Sequence, residues 1–121
     1  MLVKLAALTL AVFATEMASD SVAGKWIAQT PAREGGMTET EFLFKVRENQ
    51  LTGTVTSAGT TWEIQEGSTD GAQLEFLIVV RMGPREVRMR HTGVLDGNRI
   101  KFKRVLEDFA RTFEFEAHRK D

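Results

Sequence analysis

Three observations in the sequence predict an all-β fold, an eight-stranded antiparallel up-and-down barrel. From Val22 onward apolar and polar residues alternate with a period of two. Turn residues recur about every ten positions. No stretch of helical periodicity separates the strand patterns, so strands adjacent in sequence should pair antiparallel with one another. A chain of 121 residues accommodates one core, which places a single domain over residues 22–121.

The eight strands are expected at 24–30, 38–47, 50–56, 61–66, 72–82, 85–95, 99–104 and 111–119. Gly, Asn, Asp, Ser and Pro punctuate them at 31–36, 48–49, 57–59, 68–71, 83–84 and 96–98, with a longer connection around Glu107 and Asp108. In the second strand Phe42, Phe44 and Val46 share one face, and Glu41, Lys45 and Arg47 the other. The third carries Leu51, Gly53 and Val55 on its inner face, and the fourth sets Trp62 and Ile64 against Glu63 and Gln65. Leu74, Phe76, Ile78 and Val80 repeat the pattern in the fifth. Val87, Met89, His91, Gly93 and Leu95 follow in the sixth. Ile100 and Phe102 oppose Lys101 and Lys103 in the seventh, and Phe113 and Phe115 oppose Glu114 and Glu116 in the eighth. A meander with one apolar face hides its edges by closing into a barrel, and mid-strand Gly53 and Gly93 offer the bends that closure needs. A two-sheet sandwich with longer crossovers is the competing architecture.

The N-terminus reads as a signal peptide over residues 1–14. Lys4 supplies a basic start, Leu5 to Ala14 an apolar run, and Val12, Phe13 and Ala14 a cleavage context. A cut after Ala18 is the later alternative, with Glu16 poorly placed before the bond; a buried N-terminal helix is the structural one. The run is too short to span a bilayer, so no membrane span is expected in the mature form. A secreted or periplasmic protein is implied. The lack of cysteine excludes disulfides, thiolate nucleophiles and a lipoprotein anchor, and leans toward a bacterial envelope.

Charge excludes little else. The net charge of -1 gives no reason to expect nucleic acid. Residues 21–80 carry four basic against eight acidic side chains, and residues 81–121 eleven against seven, which suits pairing between the halves.

Gly24-Lys25-Trp26 at the head of an eight-strand meander resembles the Gly-x-Trp opening of the calycin barrels, the lipocalins, avidins and small bacterial lipocalin-like proteins. The resemblance implies a barrel closed at one end by Trp26 beneath an arginine of the last strand, a part open to Arg119. It also implies a small hydrophobic or amphipathic ligand. The chain has no Thr-Asp-Tyr motif and no tyrosine at all, so ligand residues do not carry across.

Catalytic and metal motifs are absent from the sequence. His91 has inward parity and His118 outward, which separates the only two histidines, so no metal is expected. Ser57 and Ser68 lie in turns without a nucleophile context, and no cofactor motif occurs. Glu39 with Glu41, and Glu114 with Glu116, read as solvated outward pairs. Arg104 and Arg111 flank the 105–110 connection with inward parity, so both belong at one mouth of the barrel. With His91 they would suit the acid group of an amphiphile, and Met89, Phe102 and Phe113 its tail. Alternatively the arginines snorkel from the rim and His91 is a satisfied core residue. Three functions follow. The leading one is an exported, non-catalytic barrel that binds an apolar or amphipathic, anionic molecule. The second is an interaction or inhibitor module using outward Leu43, Leu77 and Val79, with an oligomer left open. The third is a small isomerase or lyase acting through His91.

Overall fold

The computed structural model describes residues 21–32 and 34–120; the segment read as a signal peptide lies outside the described residues. Alternation becomes structure in nine strand segments: β1 (Gly24–Pro31), β2 (Met37–Arg47), β3 (Gln50–Ser57), β4 (Thr60–Glu63), β5 (Gln65–Thr69), β6 (Gln73–Met82), β7 (Arg85–Asp96), β8 (Arg99–Leu106) and β9 (Arg111–Lys120). The only other regular element among the described residues is a single 3-10 turn, Glu107–Phe109, in the longest late connection. Each strand pairs antiparallel with its neighbours, and β1 pairs with both β2 and β9, so the sheet closes on itself.

β4 and β5 are two halves of one stave, because both lie on β3, through Thr54↔Glu63 and Gln50↔Ser68. The barrel therefore has eight staves. The sequence reading of a strand ending at Glu66 and a turn from Ser68 needs correction here. A bulge between Gln65 and Ser68, with Glu66 at φ 53, takes up the irregularity and lets the chain stay extended to Thr69. Bulges of this kind increase local twist, which a small barrel needs in order to curl.

Gly53 and Gly93 serve closure in different ways. Gly53 sits opposite Phe44 at φ 144, where a Cβ would run into the Leu43 carbonyl, so backbone approaches backbone at this bend. Its carbonyl accepts the Ile64 N–H at 3.0 Å, tying the bend to the break in the fourth stave. Gly93 has no such backbone strain. A Cβ there would lie 2.8 Å from Ile100 Cγ2 and 3.0 Å from the Phe102 ring, so the missing side chain is space for an aromatic from the next strand.

The two ends of the barrel differ. At the end holding the first residues of β1 and the last of β9, Trp26 is fully buried and its Nε1 donates to the Val22 carbonyl at 2.9 Å. Arg119, the register partner of Trp26, lays its guanidinium 4.3 Å from the ring centroid. That guanidinium also donates to the Ala23 and Ser21 carbonyls at 3.0 and 2.9 Å. The pre-strand segment is thereby folded over the barrel end as a plug. Above it, Phe42, Phe44, Phe76, Phe102 and His91 fill the lumen, with Phe42 stacked on Phe102 at 5.1 Å and Phe76 on His91 at 4.6 Å.

Toward the other end burial is mixed, with Thr30, Thr40 and Val87 buried. Inward Trp62, Val80, Met89, Phe113 and Phe115 are only half buried, although Met89 and Phe115 lie well inside their strands. Ile64 at the bulge, and Val46 and Leu95 next to their strand ends, share that state elsewhere. The β1–β9 seam runs only from Lys25↔Lys120 to Ala28↔Ala117. Beyond Ala28 the two strands make no further ladder pairs, which leaves Phe113 and Phe115 beside an unpaired seam that leads to the mouth.

Candidate functional site

The lumen is apolar by sequence pattern, so a charged side chain held inside it is the feature that asks for a reason. Arg104 has the inward parity of Ile100 and Phe102 on β8 and is 8% exposed. Its register partners are His91 on β7 and Phe113 on β9. Nε donates to His91 Nε2 at 2.8 Å, and the guanidinium carbon lies 5.0 Å from the centroid of Phe115. No carboxylate of the described residues lies within 4.0 Å of it. Burial without a counter-charge pulls its pKa down to about 10, so it is still a cation at neutral pH.

His91 is the other half of the pair and is 0% exposed. Its pKa lies well below the ordinary value, first because desolvation disfavours the imidazolium and second because the Arg104 charge repels it. The ring is therefore neutral. Since Nε2 accepts from Arg104, the ring proton is assigned to Nδ1. Nδ1 is buried with no hydrogen-bond partner; the Met89 backbone favours its proton only weakly, from outside hydrogen-bonding geometry. Among the described residues it is the one buried side-chain polar atom in that condition, and the Arg104 Nη atoms make no hydrogen bond to any described residue.

The remaining residues singled out by sequence fall around this pair. Phe102 is 3% exposed in the floor, Met89 lies half buried on β7, and Phe113 is half buried on β9. Arg111 is exposed at the rim, its guanidinium 5.3 Å from the Phe113 ring and two positions along the strand from the partner of Arg104. The two arginines thus stand at the same end at different depths. His118 is exposed on the outer face. No group of three or more potential metal ligands occurs among the described residues. No family model matches the chain, and no curated protein or solved structure is significantly similar to it. Sequence parity missed one set of lumen residues, the hydroxyls of Thr30, Thr40 and Ser57; two inward threonines on consecutive strands were the available signal.

On the outer wall one expectation needs correction. Leu43, Leu77 and Val79 form no common patch, because β3 and the β4–β5 stave separate β2 from β6, and Leu77 is 0% exposed. Arg88 and Arg90 on β7 are paired with carboxylates. Glu107 accepts from Arg90 Nε at 3.0 Å and Arg88 Nε at 3.2 Å, and Glu66 and Glu75 complete the cluster around Arg90. The Arg90 hydrogen bond chiefly holds the Glu107 carboxyl below the ordinary carboxylate range. Lys101 and Lys103 face Glu116 and Glu114 in register, with Arg99 reaching Glu116 at 3.8 Å.

Proposed function

We infer that this chain is a binding protein of calycin-like architecture, which takes a small anionic amphiphile at the Arg104 end of its lumen. The observation that carries the reading is Arg104, a buried cation without a carboxylate partner among the described residues, on the inward side with half-buried Met89, Phe113 and Phe115. Leaving a charge unpaired in an apolar lumen costs several kcal/mol, and proteins rarely bear that cost unless a partner arrives. A ligand carboxylate on the free Nη atoms supplies that partner through paired charge-assisted hydrogen bonds, and the half-buried apolar side chains gain from covering its body. Trp26, Phe42, Phe44 and Phe76 fill the other half, so the ligand is short.

The rival readings have less to stand on. The outer-wall module lacks its apolar patch, and His91 as an acid or base would need an open path to a ring that is fully buried. Export rests on Lys4 and the apolar run to Ala14.

Titration with a fluorescent medium-chain fatty-acid probe tests the function. Saturable one-to-one binding is expected, weakened at least about tenfold by Arg104→Leu and far less by Arg111→Ala. Absence of saturable binding, or binding indifferent to Arg104→Leu in a variant that retains its sheet spectrum, would refute it.

A further inference from the structure

A second polar feature lies at the same end of the lumen. Thr30 on β1, Thr40 on β2 and Ser57 on β3 have lumen parity; the two threonines are 1% and 0% exposed, and Ser57 is half buried. Thr40 Oγ1 donates to Ser57 Oγ at 3.0 Å, and Thr30 and Thr40 Oγ1 lie 2.8 Å apart. A hydroxyl has one hydrogen, and that of Thr40 is committed to Ser57, so Thr30 must be the donor in the other link. The chain is directional, from Thr30 through Thr40 to Ser57. It ends on the Ser57 O–H, which has no acceptor among the described residues. Each link polarises the next, so this terminal hydroxyl is a better donor than an isolated serine.

Its place relative to Arg104 follows from the layer beneath. Phe42 on β2 and Phe102 on β8 stack across the lumen at 5.1 Å. Thr40 and Arg104 are the next inward positions on those same strands toward the mouth, so they belong to one layer on facing walls. Ser57 is the register partner of Thr40. This end of the barrel therefore has a guanidinium on one wall and a hydroxyl donor on the facing one, and half-buried apolar Trp62, Val80 and Met89 lie toward the same end. Bonding three strands together at the mouth accounts for the hydrogens of Thr30 and Thr40, but leaves that of Ser57 unused.

The geometry points to a ligand with two separated polar groups, an acid group on Arg104 and an oxygen acceptor several carbons away on Ser57, joined by an apolar body. This rests on the lumen-binding reading and narrows it from any anionic amphiphile to oxygenated, hydroxylated or keto, monocarboxylic acids. Ser57 and Thr40 are then the specificity-determining residues. A site built to hydrogen-bond a ligand oxygen discriminates strongly against analogues that lack it.

Isothermal titration with decanoic acid and a panel of its monohydroxylated and keto derivatives decides the matter, run on the wild type, Ser57→Ala, Thr40→Val and Thr40→Ser. At least one oxygenated acid should bind about tenfold tighter than decanoic acid. That margin should vanish in Ser57→Ala and Thr40→Val, with decanoic acid itself binding as before. Thr40→Ser keeps the hydroxyl chain and should keep the margin, which separates lost recognition from a packing defect. Equal binding of every acid, or a margin that survives both Ser57→Ala and Thr40→Val, overturns the proposal and leaves lumen binding standing. Failure of every acid to bind the wild type overturns both.

Discussion

Arg104 gives its Nε hydrogen to Nε2 of His91 across 2.8 Å inside the barrel, so a guanidinium and an imidazole share one buried site. The imidazole stays neutral first because burial disfavours its charged form and second because a protonated ring would meet the Arg104 guanidinium. The guanidinium stays charged with no carboxylate of the described residues within 4.0 Å. Each group is tolerated through the other, and neither is what stability alone would select.

Stability should fall in mild acid because of His91. Its folded pKa is depressed below the ordinary value, so below about pH 6.5 the unfolded chain takes up a proton that the folded one refuses. The contribution is complete above about pH 6.5 and is lost as pH drops, by up to about 1.4 kcal/mol per unit. The lowered carboxylates of Asp70 and Glu107 come into play only below about pH 4.5. Urea midpoints at pH 7 and pH 5 should differ in the wild type and much less in His91→Gln, whose amide oxygen can still accept from Arg104. Equal wild-type midpoints at the two values would sink the assignment.

Replacing the pair by apolar side chains should stabilise the protein and abolish ligand binding. The double variant Arg104→Met with His91→Phe removes a buried cation and an unpartnered ring nitrogen together, a gain of about 1–3 kcal/mol. Chemical denaturation and probe titration measure the two effects. A loss of stability instead would mean that the pair is there to hold the barrel.

At the plugged end the expected costs are ordinary core losses. Trp26→Ala should destabilise by about 3–5 kcal/mol, and Arg119→Ala by about 1–3 kcal/mol through its stacking and its bonds to Ala23 and Ser21. Because the two side chains touch, the double variant should lose less than the two single costs combined. Strict additivity in a double-mutant cycle would deny the coupling.

The two mid-strand glycines should respond differently to alanine. Gly93→Ala crowds the Ile100 and Phe102 side chains, which can shift, so a cost of about 1–3 kcal/mol is expected. Gly53→Ala meets the Leu43 carbonyl at φ 144, where both the backbone and its neighbour are fixed, and should cost more. Thermal midpoints that rank the variants in reverse would contradict the structural account.

Alternation determined the inward faces, because side-chain parity in a strand is a local property of the backbone, and the short turns between the runs determined the antiparallel order of the staves. Phe42, Phe76, Ile100 and the inward side of His91 are legible on that basis. Parity says which way a side chain starts but not how deep it ends, so Arg104 and Arg111 read alike in sequence. The structure separates them, since Arg104 has His91 across the ladder to receive its Nε and Arg111 has only the half-exposed Phe113 ring. The bulge at Glu66, the distance between Leu43 and Leu77, and the facing of Thr40 by Arg104 were likewise decided by closure of the sheet. Closure fixes which strands become neighbours and which walls oppose one another, and no short stretch of sequence carries that relation.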